Sequence, residues 1–309
     1  MTSFGLYFGT RFSLKEQVHL VAFTLLIGGI LSTFIAIGFP NIGLHLVASE
    51  GHIGAWKGAY GHKNALGSMM VLSAVTFFAL PKETSVIYKS AGFIFSITLI
   101  LLATSKTSLV ISVLLTLIMM FYRNFRWQGR ISVIFINVGV LILGCLSVLV
   151  STYWVELLTG LGRNPTLTGR TQIWSVAVAR IIERPLLGYG RGAFWAPNSP
   201  YAIEAGQAMG TTWIPPHAHN GLIDLALDSG LIGVLLFLVI YFTCFSRALK
   251  RAYAPKNLEE LWPLAYVTFL AMNNVTESLL LRLSNLYWVL FITVIFTMSQ
   301  NSKSKKSTV

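Results

Sequence analysis

Residues 220–246, NGLIDLALDSGLIGVLLFLVIYFTCFS, contain only two charged side chains, Asp224 and Asp228, and both lie near the start. A helix of about 20 mostly apolar residues is long enough to cross the hydrocarbon core of a bilayer. This segment therefore predicts a transmembrane helix. Similar apolar runs recur, and eight spans can be drawn, at 18–37, 64–80, 90–104, 107–122, 131–152, 220–246, 262–280 and 283–299.

The composition of the whole chain agrees with a membrane protein. Hydrophobic residues make up 54% of the 309 residues and charged residues 11%, whereas a soluble domain carries about 25% charged residues. The mean hydropathy is +0.68. A net charge of +12 on a soluble protein would suggest nucleic acid as a partner, but no nucleic-acid motif is present. We therefore predict an all-α polytopic membrane protein, 1–309 forming one domain, that binds no nucleic acid.

Lysine and arginine are unequally distributed between the two sides of the predicted spans. One side holds 14 of the 23 basic residues, and cytoplasmic loops are the ones enriched in Lys and Arg. We therefore expect a multi-pass protein of the bacterial inner membrane with both termini in the cytoplasm, and a disordered basic tail over 300–309. Cys145 and Cys244 fall inside spans, which predicts buried apolar roles rather than a disulfide or a metal site.

The segment 153–218 is predicted to form one large periplasmic or extracellular loop, and loops of this length are usually functional. It contains Thr168-Gly169-Arg170-Thr171 and then an apolar-rich helix that is expected to end at Glu183, because Pro185 stops it. The side chains expected to place this helix at the membrane interface are Ile173, Trp174, Val178, Ile181 and Ile182. A Gly-rich turn at 188–192 and Pro215-Pro216-His217-Ala218-His219-Asn220 follow.

Ionisable side chains at membrane depth are costly and are therefore candidates for function. Those on the predicted outer side are Lys106, Asp224, Asp228, Glu277 and Arg282, together with Arg170, Arg191, His217 and His219. Arg binds phosphate oxygens in a bidentate way, Lys acts as a point charge, and His is suited to act as a base near neutral pH. The set predicts a site for an anionic lipid-linked substrate, in which fixed cations stabilise a leaving pyrophosphate.

Each basic candidate also has a structural interpretation. Arg170 could anchor a helix at the membrane interface, and Arg191 could be a solvated loop residue. Lys106 could extend its ammonium out of the membrane from the tip of the hairpin between the third and fourth spans. His217 and His219 could make hydrogen bonds at a helix start.

The acidic candidates leave similar alternatives open. Asp224 and Asp228 could face the positive end of a helix dipole, and Glu277 could form an ion pair with Arg282. A metal site is not favoured, because the two neighbouring histidines have no carboxylate cluster or cysteine near them in the sequence and no Asp-x-Asp occurs.

Several motifs occur together in a recognisable order. They are Thr168-Gly169-Arg170-Thr171-x-x-Trp174, Arg184-Pro185-Leu186-Leu187-Gly188-Tyr189-Gly190, and His219-Asn220 followed by Gly230 and Gly233. This combination resembles the O-antigen ligase domain family, and Gly192-Ala193-Phe194-Trp195 resembles its exopolysaccharide polymerases. Gly61-His62-Lys63-Asn64 and Ser105-Lys106-Thr107 also fall where that family has characteristic residues. The resemblance covers residues 50–290.

The resemblance implies an inverting, metal-independent glycosyltransferase that needs no cofactor. Such enzymes polymerise or ligate a glycan carried on undecaprenyl pyrophosphate at the outer face of the inner membrane. Carried over by position, His219 would activate the acceptor, and Arg170 and Lys106 would bind pyrophosphate. Lys106 stands where ligases often have Arg, which departs from the family pattern. Arg191 is a weaker pyrophosphate candidate, and the secondary candidates are His217, Glu277 and Asn220.

The implied partners are an undecaprenyl-pyrophosphate-linked glycan donor, a glycan or lipid-core acceptor, membrane lipid, and other components of polysaccharide export. The chain is shorter than members of the family usually are, by about four N-terminal spans, which predicts a short member, a truncated gene product or a fragment. Polymerase and ligase are both compatible with the sequence. Two other classes stay open: a transporter or flippase of lipid-linked or anionic substrates, and a non-catalytic subunit for envelope assembly.

Overall fold

The computed structural model describes residues 1–46, 53–124, 130–159, 169–253, 255–281 and 285–304, and within these ranges the chain is helical without a regular strand. The helices are α1 (Thr2–Arg11), α2 (Leu14–Gly38), α3 (Pro40–Gly43), α4 (Lys63–Phe78), α5 (Val86–Leu102), α6 (Lys106–Asn124), α7 (Arg130–Thr159), α8 (Arg170–Glu183), α9 (Pro200–Ala208), α10 (Gly221–Ala252), α11 (Trp262–Asn274) and α12 (Leu286–Ser304). The predicted all-α class is confirmed.

Each of the eight predicted spans falls on a helix: α2, α4, α5, α6, α7, α10, α11 and α12. Within the described ranges, three helices are long and apolar enough to cross a membrane, namely Leu14–Gly38, Lys106–Asn124 and Gly221–Ala252. Shorter apolar helices are Val86–Leu102, Ile136–Val150 and Leu286–Gln300. The number of crossings therefore stays a prediction.

Hydrogen bonds between helix ends show how the bundle is arranged. At one end, Asn64 in the first turn of α4 bonds to Ser105 just before α6 and to Glu277 after α11. At the other end, Lys15 of α2 bonds to Glu83 between α4 and α5. Successive helices thus alternate in direction, as they must if each crosses the same layer. The end that holds Asn64 is called the site end below.

The first and last helices were not expected to pack together, since α1 was not predicted. Gly5 and Gly9 lie so close to α12 that a Cβ on either would collide with the carbonyl oxygens of Val289 and Thr293. Small residues four apart allow such close helix packing in membranes. Helix α12 continues to Ser304, beyond the predicted start of a disordered tail at 300, and 305–309 lie outside the described residues.

Helix α11 ends at Asn274, six residues before the predicted end of its span. The Asn274 side chain donates to the Leu270 carbonyl at 2.7 Å and accepts from the Leu279 N–H at 2.9 Å, so it turns the chain out of the helix. Residues 275–281 consequently form a turn segment at the site end. Glu277 lies in this segment and not inside the seventh span, which corrects its predicted position.

Helix α8 ends at Glu183, before Pro185, as predicted. Its apolar face is only partly available to a membrane interface. Ile173 is buried in the protein, whereas Val178 and Ile182 are exposed. The expectation that all these side chains lie in the interface is therefore wrong for Ile173, because the loop folds back onto the helix.

Helix α10 is interrupted at Gly230, which has φ 66° and ψ −173°. The backbone groups freed by this break bond to the segment 185–190. The Tyr189 N–H donates to the Leu227 carbonyl at 2.7 Å, and the Leu231 N–H donates to the Pro185 carbonyl at 2.7 Å. A helix break at membrane depth is tolerated when neighbouring chain satisfies the freed groups in this way.

We expect Gly230→Ala to destabilise the protein, because a Cβ at this positive φ would collide with the Leu186 carbonyl. The free energy of unfolding should fall by at least about 2 kcal/mol, measured as thermal unfolding of the detergent-purified protein. The matched control is Gly139→Ala in α7, where a Cβ meets no heavy atom within 4 Å. Equal effects of the two substitutions would show that the break at Gly230 is not required.

Candidate functional site

The first turn of α10 is capped by Asn220. Its Oδ1 accepts hydrogen bonds from the N–H groups of Leu222 and Ile223, at 3.0 and 3.1 Å. This is the arrangement that stabilises helix starts. Its Nδ2 also donates to the Val275 carbonyl at 3.4 Å. Asn220 therefore joins α10 to the turn segment after α11, and its contacts are those of a positioning residue.

His219 precedes this cap in a left-handed backbone conformation, with φ 55°. Its N–H donates to His217 Nδ1 at 3.1 Å, and the two ring centroids are 4.1 Å apart. Histidine is one of the residues that adopt this conformation more readily than most. The turn directs His219 Nδ1 towards Glu277, whose Oε2 lies 3.9 Å away.

The turn at His219 is held from outside by two elements of the long loop and by α10 itself. Trp174 Nε1 donates to the Ala218 carbonyl at 2.7 Å, and the Ala218 N–H donates to Asp224 Oδ1 at 3.0 Å. Asp224 Oδ1 also accepts from Trp195 Nε1 at 2.9 Å. The carboxylate of Asp224 therefore fixes backbone near the site.

Asp228, one helical turn further along α10, holds the Gly-rich turn. Its Oδ1 accepts from the Gly192 N–H at 2.9 Å. Both aspartates thus act as hydrogen-bond acceptors for the loop, a role that the sequence did not predict for either.

Glu277 is the charged centre of the site end. Its Oε1 accepts from Asn64 Nδ2 at 3.0 Å, and Asn64 Oδ1 in turn accepts from Ser105 Oγ at 3.2 Å. Burial by itself would raise the pKa of the Glu277 carboxyl, but the imidazole of His219 and the positive charge of Arg170 outweigh it and hold the pKa at about 2. At 3.9 Å His219 Nδ1 and Glu277 Oε2 are too far apart for a direct hydrogen bond, and they attract each other by charge when the imidazole is protonated.

Arg170 is the first residue of α8 and lies close enough for its charge to act on Glu277. Its Nη1 is buried and has no hydrogen-bond partner among the described residues, and the same is true of His219 Nδ1. Buried polar groups are nearly always paired with protein, water or ligand. These two atoms therefore indicate that the site receives a polar ligand or ordered water.

A cavity of about 990 Å³ opens beside His219 and is called the His219 cavity. This volume lies at the upper end of the range for ligand sites, about 300–1,000 Å³. Its walls come from three parts of the chain. They include the side chains of Lys57, Asn64, Ser68, Trp213, His217, His219, Glu277, Ser278, Asn285 and Tyr287. Neither Arg170 nor Arg191 lines it.

Lys106 lines a different space, a groove of about 690 Å³ between α6 and α7 that is called the Lys106 groove. Its other walls are Leu109, Val110, Leu143, Leu146, Ser147 and Val150. The sequence grouped Lys106, Arg170 and His219 in one site, but Lys106 lines the α6–α7 groove and Arg170 does not line the His219 cavity. Lys106 still lies near Lys63, which stands just before the predicted second span. Burial first, and then the charge of Lys106, lower the pKa of Lys63.

Arg191 is exposed, and its Nη2 donates to the carbonyl oxygen of Leu281. This bond connects the Gly-rich turn to the turn segment that carries Glu277. The interpretation of Glu277 as a partner of Arg282 concerns a residue outside the described ranges.

Asn64 and Lys63 were quoted within a sequence motif but given no role, and Trp213 and Tyr287 were missed altogether. Asn64 can be recognised only once residues 213 positions apart in the chain are brought together. The only available signal was a polar Lys63-Asn64 pair at the start of an apolar span.

His217, His219 and Glu277 also offer three ligand atoms within 4.8 Å of one another, close enough to hold a metal ion. The sequence argument against a metal rested on the absence of a nearby carboxylate, and Glu277 supplies one from a distant part of the chain. The positive charge of Arg170 beside Glu277 opposes binding of a cation there. The metal-free expectation stays a prediction.

Comparison with known proteins shows what the central part of the chain is similar to. Residues 91–238 match the sequence model of the family described as O-antigen ligase. The exopolysaccharide production protein ExoQ of Rhizobium meliloti is 33% identical over 104 residues, 31% of this chain and 23% of ExoQ.

Two Rickettsia proteins match a similar portion. A protein of Rickettsia conorii provisionally named polysaccharide ligase is 35% identical over 89 residues, 26% of this chain and 20% of its own length. One of Rickettsia felis with the same provisional name is 29% identical over 87 residues, again 26% and 20%. The matched part thus spans less than a quarter of the length of these relatives.

We expect Glu277→Gln to destabilise the protein by an amount that depends on pH in a defined direction. A carboxyl whose pKa falls from 4.5 to about 2 on folding stabilises the fold fully above pH 4.5 and loses that contribution as the pH falls towards 2. The difference in unfolding free energy between wild type and Glu277→Gln should be large near pH 5.5 and should shrink as the pH falls through 4.5 towards 2.

Thermal unfolding in detergent across this range measures the difference. The control is Glu83→Gln, an exposed carboxylate at the opposite end that pairs with Lys15, for which little change is expected at any pH. A difference for Glu277→Gln that grows on acidification would contradict the assignment of an ionised, positively surrounded carboxylate.

Proposed function

We propose that this chain, whose residues 91–238 carry the O-antigen ligase domain, transfers a glycan from undecaprenyl pyrophosphate to an acceptor hydroxyl at the site end of the bundle. The family supports the broader assignment, a polysaccharide ligase or polymerase. The observation that carries the finer one is the His219–Glu277 pair, which lines a large cavity and lies within reach of the charge of Arg170.

The reaction requires a base, a cationic environment for the leaving group, and no redox step. His219 takes the proton of the acceptor hydroxyl as its oxygen forms a bond to the anomeric carbon of the donor glycan. The bond from that carbon to the pyrophosphate oxygen breaks, and its electron pair leaves with undecaprenyl pyrophosphate. A single displacement of this kind inverts the anomeric configuration. Glu277 stabilises the imidazolium that forms, in the way a buried carboxylate supports a catalytic histidine.

The donor side of the site is formed by cations and an apolar groove. Arg170, Lys106 and Lys63 supply positive charge for the pyrophosphate, which makes a metal unnecessary for the leaving group. The Lys106 groove is apolar apart from Lys106 and Ser147, which suits a polyprenyl tail. Arg191 is an additional contact for the pyrophosphate at the protein surface, since its side chain is exposed and is bonded to the Leu281 carbonyl.

The proposed orientation puts the site end outside the cytoplasm of a bacterium, with both chain termini inside and 153–218 as the external loop. Its support is the position of basic residues at the opposite end of the bundle, at Arg123 in the last turn of α6 and at Lys250 and Arg251 in the last turn of α10. The site end would then bind undecaprenyl-linked glycans from the outer leaflet of the inner membrane.

Between polymerase and ligase we favour a polymerase of exopolysaccharide type. The match to a protein named for exopolysaccharide production supports it, although the Rickettsia relatives are named as ligases. In a polymerase the acceptor is itself a lipid-linked glycan, and other export components are expected partners.

A transporter or flippase is the second candidate, because transporters often contain broken helices near their substrate sites and α10 is broken at Gly230. Here, however, the freed backbone groups are occupied by the chain's own segment 185–190, which leaves no open site at the break. A non-catalytic assembly subunit would not require His219 at all. Complementation with the His219→Ala variant therefore separates these classes.

We expect His219→Ala to lower glycan transfer roughly 10²–10⁴-fold, because the acceptor loses its base, and Arg170→Ala to lower it roughly 10²-fold or more, because the leaving group loses a cation. The measurement is long surface polysaccharide in a deletion strain complemented with each variant, with membrane levels of the protein checked. His19→Ala, which lies at the opposite end of α2 and bonds to Thr84, is the matched control and should restore polymer fully.

Restoration of polymer by both site variants would refute the catalytic assignment and favour the scaffold. A transporter predicts a different result, namely loss of movement of lipid-linked glycan across the membrane, measured by its accessibility to periplasmic enzymes in the same strains.

We expect Lys106→Ala to raise the KM for the lipid-linked donor with a smaller effect on kcat, because Lys106 contributes charge beside an apolar groove rather than the base. Lys106→Arg should keep most activity, since Arg also binds pyrophosphate. Arg123→Ala at the other end of α6 is the control. An unchanged donor KM in Lys106→Ala would exclude Lys106 from the donor site.

A further inference from the structure

The two spaces at the site end differ in the chemistry of their walls. The Lys106 groove offers mainly leucine and valine side chains. The His219 cavity offers hydroxyl, amide, imidazole and ammonium groups from three parts of the chain. A sugar cannot enter an apolar groove without leaving its hydroxyls unbonded, which costs several kcal/mol per group in an apolar medium. Saccharide and polyprenyl chain therefore fit different spaces.

Hydroxyl groups are concentrated on the wall of the His219 cavity. Ser278 Oγ is buried and finds no hydrogen-bond partner in the part of the chain that the structure describes. The buried hydroxyls of Ser68 and Tyr287 lie beside each other, and all three residues line the cavity. Their joint position on one wall indicates a ligand that carries several hydroxyl groups, since each can donate to or accept from them.

An aromatic side chain stands on the same cavity and is unusually exposed. Trp213 lines the His219 cavity with 53% of its surface exposed. It lies in the short connection between α9 and α10. An indole provides a broad apolar face with a polar N–H, which complements the C–H face and the hydroxyl edge of a pyranose ring.

We propose that the His219 cavity is the acceptor subsite of the proposed transferase, which binds a sugar ring stacked on Trp213. The ring's hydroxyls bond to Ser68, Ser278 and Tyr287, and one hydroxyl is presented to His219. Lys57 and Asn285 extend the polar wall for further sugar units. This assignment rests on the proposed function, and it places the acceptor sugar in the His219 cavity and the polyprenyl tail of the donor in the Lys106 groove.

The test uses wild-type protein in nanodiscs and two probes. The donor is the lipid-linked oligosaccharide extracted from the deletion strain, and the acceptor is the free oligosaccharide released from that lipid by mild acid. We expect Trp213→Ala to raise the acceptor KM roughly 3- to 10-fold while the donor KM changes less than about twofold. Trp213→Phe should restore most of the acceptor affinity. Tyr287→Phe, which removes only the hydroxyl, should also raise the acceptor KM.

The matched control is Ile214→Ala, since Ile214 is exposed beside Trp213 but does not line the cavity, and its acceptor KM should equal that of the wild type. A rise in donor KM with no rise in acceptor KM for Trp213→Ala would assign the cavity to the donor and overturn the proposal. So would equal effects of Trp213→Ala and Ile214→Ala.

Binding of the free oligosaccharide without donor, followed by calorimetry, separates the subsite from the proposed function. Binding to wild type that weakens in Trp213→Ala supports a saccharide subsite even if no transfer occurs, in which case only the reaction is refuted. Transfer by the wild type with acceptor kinetics unaffected by Trp213→Ala and Tyr287→Phe refutes the subsite and leaves the reaction standing.

Discussion

The site end depends on one half-buried negative charge. Glu277 receives a hydrogen bond from Asn64 of α4, faces His219 before α10, and is affected by the charge of Arg170 at the start of α8. Without cations nearby, burial would favour the neutral acid. Because the carboxylate stays ionised, it can attract groups from three helices that are far apart in sequence. His219, the proposed base, is therefore positioned by the same carboxylate that joins these helices at the site end.

Much of the architecture could be predicted from the sequence, because apolar segments of membrane proteins are long and have few charges. All eight predicted spans are helices, and the end of α8 before Pro185 was anticipated. The end of α11 was not, since it depends on side-chain bonds of Asn274. The helix α1 was missed because its apolar residues are too few for a span.

The candidate residues were identified by type and motif, but their grouping could not be predicted. The structure brings His219 next to Glu277, which the sequence did not predict, whereas Lys106 lines a different groove. The family match ends at residue 238 and so includes His219, Arg170 and Lys106 but neither Asn64 nor Glu277. Contacts between residues distant in sequence, such as Asn64 with Glu277, cannot be predicted from a local sequence pattern.

The interruption at Gly230 divides α10 into two halves that have different surroundings. The half that starts at Gly221 is fastened to the loop and to α11 through Asp224 and Asn220. The half after the break exposes Leu235, Leu236 and Val239, as a lipid-facing surface would. Bilayers differ in hydrocarbon thickness, and a helix adapts by tilting. Because the helix is interrupted at Gly230 and the backbone beside the break is bonded to 185–190, a tilt of the second half is not passed through continuous helical hydrogen bonds to the half next to His219.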